Sequence, residues 1–123
     1  MSKLVFCEDD VMIQKLIRAA LRSLAHEIHL APDGASGLRL IRKEHPDVIF
    51  SDVSMPGMDG YQLGDAVKAD PTISHIPIVF MTASVQRAQV EEASRHGAAG
   101  VLAKPFTMAD LRARVDEFTT KTG

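Results

Sequence analysis

The chain has 123 residues, a formal net charge of −2, 46% hydrophobic and 5% aromatic residues, and one cysteine. A chain of that length makes one domain, here residues 1–123, able to bury roughly two-thirds of the surface it exposes unfolded. The near-neutral charge and scarcity of rings exclude phosphate tracking and base stacking on nucleic acid, and a single thiol excludes a disulfide framework. No apolar stretch approaches the roughly 18 residues of a membrane span and no signal-peptide pattern opens the chain, so the expectation is a cytoplasmic protein with no membrane partner.

Short apolar runs alternate with helical patterns five times, the signature of an α/β fold with a parallel sheet and helices on both faces. Strands are expected near 3–8, 27–31, 47–52, 77–82 and 100–103. The first run, Leu4-Val5-Phe6-Cys7, ends on Glu8 and Asp9; Cys7 inside it reads as a small packed hydrophobe. A helix follows from Asp10, its N-cap, to about His26, with Ile13, Leu16, Ile17, Ala20, Leu21 and Leu24 on one face.

Asp33 and Asp59 are the expected N-caps of helices two and three, and helix three stops before Pro71 because proline disfavours helical geometry in its predecessor. Between them the run Val48-Ile49-Phe50 ends on Asp52, and the run Ile78-Val79-Phe80 later ends on Thr82. Helix four, about 85–96, has only Val85, Ala88, Val90 and Ala93 as apolar residues, so it should be the least firmly anchored; Gly97 ends it as a left-handed cap. The run Val101-Leu102-Ala103 ends on Lys104, and the last helix opens with Thr107 and Asp110, an acidic form of the capping box. The five histidines show no metal-ligand spacing and are expected in solvated loop or cap positions. No GxGxxG follows the first strand, which argues against a dinucleotide site.

If the runs are parallel strands of one sheet, Glu8, Asp9, Asp52, Thr82 and Lys104 meet at one edge, where open parallel sheets bind ligands. Two carboxylates about 4 Å apart repel by roughly 4 kcal/mol at an effective dielectric near 20, so the cluster calls for a cation. Mg²⁺, a hard ion that takes oxygen ligands and tolerates phosphoryl oxygens, suits it.

Four stretches carry a family likeness: Phe6-Cys7-Glu8-Asp9-Asp10; Asp47 to Asp52 running into Met55-Pro56-Gly57-Met58-Asp59-Gly60; Pro77 to Ala83; and Ala103-Lys104-Pro105-Phe106. In this order and spacing they resemble the receiver domain of two-component response regulators, over essentially the whole chain. The resemblance implies a five-stranded flavodoxin-like sheet of order 2-1-3-4-5 and a stand-alone architecture like that of the chemotaxis regulator, with no output domain. It implies that Asp52 is the phosphoacceptor, served by a sensor histidine kinase or a histidine phosphotransfer protein, and that Thr82 and Lys104 recognise the phosphoryl group. Mg²⁺ would be held by Asp9, Asp52 and the main-chain carbonyl of Ser54, with Glu8 acting mostly through water. A cis bond between Lys104 and Pro105 and a downstream protein target on the face of helix four, strand five and helix five, with Gln86, Arg87 and Glu91 exposed there, are further expectations.

The chain departs from the family where Val101 stands three residues before Lys104, a position often Tyr or Phe. Ser54 and Ser84, small and polar, flank the pocket. Two other functions compete. A phosphatase of the haloacid dehalogenase type also uses an aspartyl phosphate, Mg²⁺, Thr and Lys, but needs an Asp where Ser54 stands. A phosphorylation-independent binding module would have no use for the intact acidic pair, Asp52, Thr82 and Lys104.

Overall fold

The computed structural model describes residues 2–119. Five strands and five helices alternate: β1 (Ser2–Cys7), α1 (Val11–Leu21), β2 (His26–Ala31), α2 (Gly34–Glu44), β3 (Val48–Asp52), α3 (Gly60–Ala69), β4 (Ile78–Thr82), α4 (Arg87–Arg95), β5 (Ala98–Ala103) and α5 (Met108–Thr119). The strands form one parallel sheet in the order β2-β1-β3-β4-β5. The chain steps outward from β1 to β2 and then returns to the other side of β1, so the switch point lies between β1 and β3, where Cys7 pairs with Ser51.

The three central strands are apolar on both faces, as strands covered twice must be. Val5, Cys7, Ile49, Ile78 and Phe80 pack with Leu38, Ile41, Leu63, Val67 and Ala93 of α2, α3 and α4. Leu4, Phe6, Val48, Phe50, Val79 and Met81 pack with Ile17, Ala20, Leu21, Leu111 and Val115 of α1 and α5. Phe6 and Phe50 stack across the β1/β3 pair with ring centroids 4.8 Å apart.

The expected starts of helices one, two, three and five hold. Asp10 accepts from the amides of Met12 and Ile13, Asp33 from Ser36, and Asp59 forms a full capping box with Gln62. Thr107 and Asp110 exchange the reciprocal bonds of theirs, each 3.0 Å long. Helix three ends at Ala69 ahead of Pro71, and Gly97 takes φ +89° after helix four.

Three boundaries differ from the sequence reading. Helix α1 stops at Leu21, not near His26, because His26 must already pair with Ser2 at the start of the β2 ladder; Leu24, now in the turn, still packs on the same core. Strand β5 starts at Ala98, two residues early, because a register irregularity between Ile78 and Val79 lets Ala98 pair with Ile78. Helix α4 is shorter than expected, Arg87–Arg95, with Gln86 at its N-cap position and no side-chain cap.

The turn from β3 into α3 brings two backbones together. A Cβ at Gly60 would lie 2.2 Å from the Asp52 carbonyl oxygen and 2.8 Å from Val53 Cα, and the Gly60 amide donates to the Val53 carbonyl at 2.9 Å. Gly60→Ala should therefore destabilise the fold by about 1–3 kcal/mol through overpacking against backbone. Urea denaturation of the variant beside the wild type measures it.

Candidate functional site

Parallel pairing puts the ends of β1, β3, β4 and β5 along one edge of the sheet. Glu8 follows β1 directly: its amide donates to Ala31 at 2.9 Å, its carbonyl accepts from Gln14 Nε2 at 2.7 Å, and its side chain is fully buried. Asp52 closes β3 and is 7% exposed. Thr82 closes β4, and its carbonyl accepts the Lys104 amide at 2.8 Å, which aligns the two residues across the β4/β5 pair. The Lys104–Pro105 bond is cis, as expected, and Phe106 beyond it is buried in the α1/α5 core.

The side chains converge. Lys104 Nζ donates to Asp52 Oδ2 at 2.9 Å and to Glu8 Oε1 at 3.2 Å. The Ser54 amide donates to Asp52 Oδ1 at 3.2 Å, and the Asp10 amide to Glu8 Oε2 at 3.0 Å. Thr82 Oγ1 accepts from the Ser84 amide at 3.3 Å. Asp52, Val53, Ser54, Thr82, Ala83 and Lys104 line a cavity of about 280 Å³.

Carboxylate oxygens of Glu8, Asp9 and Asp52 lie within 4.8 Å of one another, a donor set that fits a hard divalent cation. The two acidic neighbours are not equivalent. Both Glu8 oxygens are engaged, while Asp9 is exposed beside the cavity, so Asp9 is the one open to a metal. Burial pushes the Glu8 carboxyl up to about 7; the Asp10 amide opposes this, the Asp52 charge adds to it and Lys104 opposes it again. Burial alone would lower the Lys104 ammonium, but its bond and charge interaction with Asp52, aided by Glu8, hold it above its ordinary value.

Residues 4–116 match the family model of the response regulator receiver domain. The chain belongs to that family. This receiver domain is 32% identical over 116 residues to the chemotaxis protein CheY-3 of Vibrio cholerae, covering 94% of this chain and 89% of that protein. It is 37% identical over 120 residues to the response regulator PleD of Caulobacter vibrioides, covering 97% of this chain but 26% of that protein. The structure of chemotaxis response regulator CheY4 of Vibrio cholerae superposes with a TM-score of 0.91 at 30% identity, over 96% of this chain and 98% of that one. The receiver domain of a Pseudomonas aeruginosa sensor histidine kinase, with magnesium coordinated in its active-site cleft, has a TM-score of 0.86 at 29% identity, over 95% and 96% of the two chains. The receiver domain is a signalling fold, and no helix among the described residues is long and apolar enough to cross a membrane.

Three histidines depart from the expectation of solvated loop or cap positions: His26 opens β2 with its Nδ1 buried and without a hydrogen-bond partner, and the other two are paired to carboxylates. His29 lies within β2, 2.6 Å from Glu27 and 3.6 Å from Glu44, which Lys3 also pairs at 3.2 Å. His96 bridges Asp65 and Glu92. Local spacing could reveal neither set in full, since Glu44 and Asp65 come from other elements.

A group whose folded pKa lies above its unfolded value stabilises the fold fully below the unfolded value and loses that contribution as pH rises through the folded one. In chelator, stability should therefore fall from about pH 4.5 to about pH 7 as Glu8 ionises in its buried position. His96, also raised, acts in the same direction as it deprotonates, so the Glu8 share is the difference between wild type and Glu8→Gln. The variant should show a flatter profile in urea melts across this range, and an unchanged slope would contradict the burial argument.

Proposed function

We infer that this receiver domain is a switch that takes a phosphoryl group onto Asp52 and changes its partner binding in response. What carries the reading is Asp52 at the mouth of a 280 Å³ cavity, with the Lys104 ammonium 2.9 Å from one carboxylate oxygen and Thr82 on the same wall. An Asp52 oxygen attacks the phosphorus of a phosphohistidine on a sensor kinase or phosphotransfer protein. The P–N bond breaks, the imidazole leaves with the bonding pair and picks up a proton, and an aspartyl phosphate remains.

The chain's own part is positioning and charge stabilisation, as phosphoryl transfer demands. Lys104 neutralises phosphoryl oxygens, the Thr82 hydroxyl, which accepts from the Ser84 amide, has its own proton to donate to another, and the Ser54 amide orients the attacking carboxylate. Asp9, Asp52 and the Ser54 carbonyl would hold Mg²⁺, with Glu8 behind them; bound there, the ion would offset charge on both the carboxylates and the transferring group. Supporting the metal assignment are the oxygen-only donor set and the magnesium site of the related Pseudomonas receiver domain.

Output on the α4, β5 and α5 face is supported by exposed apolar side chains, Val85 at 47% and Val90 at 40%, beside the exposed Arg87–Glu91 pair. Val101, partly buried on β5, lines a 170 Å³ cavity with Val90, Ser94 and Gly100. An inward aromatic swing is not available to it, so the Thr82 loop and α4 carry the change.

Acetyl phosphate with Mg²⁺ should add one hydroxylamine-sensitive phosphoryl group by intact mass, lost in excess chelator and in Asp52→Asn. Modification persisting in that variant overturns the assignment. Without metal, Asp52→Asn should also melt a few degrees higher, since one charge leaves a crowded carboxylate cluster, and Mg²⁺ should raise its melting temperature less than the wild type's. Differential scanning fluorimetry reads both shifts.

A further inference from the structure

Little apolar packing holds α4. Ala93 alone of its nine residues is buried, and no side chain caps its N-terminus. The segment before it is tied by polar bonds around Ser84, whose Oγ lies 3.2 Å from Gln89 Oε1 and accepts the Gln86 amide at 3.3 Å.

The C-terminal end is held differently. The His96 ring, at the C-cap, stands between two carboxylates: Nδ1 is 2.8 Å from Asp65 Oδ1 on α3 and Nε2 is 3.0 Å from Glu92 Oε2 on α4. The ring lies flat on Tyr61 of α3, centroids 4.6 Å apart, and Tyr61 meets Phe80 of β4 edge-on at 5.1 Å. Phe80 is two residues before Thr82. Gly64 of α3 leaves no room for slack, since a Cβ there would lie 2.7 Å from the His96 carbonyl and 2.8 Å from the Phe80 ring.

A carboxylate only accepts hydrogen bonds. Imidazolium donates from both nitrogens, whereas neutral imidazole donates from one and turns a lone pair toward the other carboxylate. Both bonds are satisfied together only while the ring carries its proton. We propose that His96 is a proton-controlled hinge: as imidazolium it fastens the C-terminal end of α4 to α3, and on losing its proton it loosens α4.

The charged and titratable groups around it agree in sign. From α3 come Asp65 and Tyr61, and from α4 Glu92 and Arg95, the last paired with Glu92. Lys68 of α3 passes its stem under Gly97 and spends its ammonium on the Ser74 and Ile76 carbonyls, while Phe80 of β4 brings no charge. The bonds to Asp65 and Glu92 outweigh partial burial and raise the His96 pKa. The clamp is accordingly complete at mildly acidic pH and is released as pH rises through that raised value.

The meaning for signalling rests on the receiver reading above, because α4 follows the loop from Thr82. The hinge itself is independent of phosphate and is tested without it. Amide exchange by NMR, corrected for intrinsic rates, is measured at about pH 6 and about pH 8.5 on the full chain, on either side of the ordinary histidine range. In the wild type, protection of residues 87–95 should fall several-fold at the higher pH while β1 and β3 hold. In His96→Gln it should be low and equal at both. Glu92→Gln keeps the ring and should lower the His96 titration midpoint while weakening protection at the lower pH. A wild-type α4 that exchanges equally at both values, or the same fall in His96→Gln, overturns the hinge. Beryllofluoride occupancy of Asp52, read separately by fluorine NMR, judges the receiver reading, so the two fail independently.

Discussion

Lys104 must reach two carboxylates at once. Its ammonium lies 2.9 Å from Asp52 and 3.2 Å from Glu8, and those two sit side by side because β1 and β3 pair with Cys7 opposite Ser51. Neither acid is free to swing away, since Asp52 closes β3, Glu8 follows β1 directly, and both are buried. At an effective dielectric near 20, like charges about 4 Å apart cost roughly 4 kcal/mol, a large part of a domain's whole stability. The lysine must therefore come from the far side of β4, and the backbone is shaped to bring it. Its amide is bonded to Thr82, the bond to Pro105 is cis, and Phe106 anchors the following turn in the α1/α5 core. Even so, one ammonium is set against the three carboxylates of Glu8, Asp9 and Asp52, a balance that leaves room for a further cation.

The parts of the fold legible in the sequence are those fixed by local chemistry. Capping side chains act within three residues, so Asp10, Asp33, Asp59 and the Thr107/Asp110 pair marked helix starts without knowledge of the sheet. Polar residues closing apolar runs marked the site in the same way, because parallel strands bring the ends of their runs to one edge of the sheet. The end of α1 and the start of β5 were not legible, since pairing to Ser2 and Ile78 decides them, and those partners are distant in the chain. The inequality of Glu8 and Asp9 came only from the family resemblance, not from the residues themselves. In the chain they are adjacent acids; in the fold one is sealed under Lys104 and the Asp10 amide and the other faces solvent. His29 and His96 looked like solvated residues because Glu44 and Asp65 are supplied by other elements.

The two faces of the sheet are built to different rigidity. Helices α1 and α5 pack Ile17, Ala20, Leu21, Leu111 and Val115 against the phenylalanine stack, and Arg112 Nε adds a 2.7 Å bond to the Ala20 carbonyl. On the other face α2 and α3 contribute several buried residues each, whereas α4 contributes Ala93. Local opening is least costly where buried apolar contact is least. The element next to the Thr82 loop is thus also the one whose displacement disturbs the core least.

Val101 fits this division. A large ring at that position would fill the space between β5 and α4 and could exchange between two rotamers; a valine leaves a 170 Å³ cavity lined by Val90, Ser94 and Gly100. β-Branched side chains have few χ1 choices, so Val101 offers no comparable second state. The switch proposed above needs a bistable element, and α4, with one buried residue and no side-chain cap, is the element that fits. The open cavity gives α4 room to move, the Ser84 bonds connect its start to Thr82, and Tyr61 and His96 hold its far end against Phe80 of the same strand. A change at the Thr82 hydroxyl therefore reaches α4 at its N-terminal end, while the other end stays joined to β4 through packed rings. Pivoting about its C-terminus is the motion of α4 that leaves both the core and the carboxylate cluster intact.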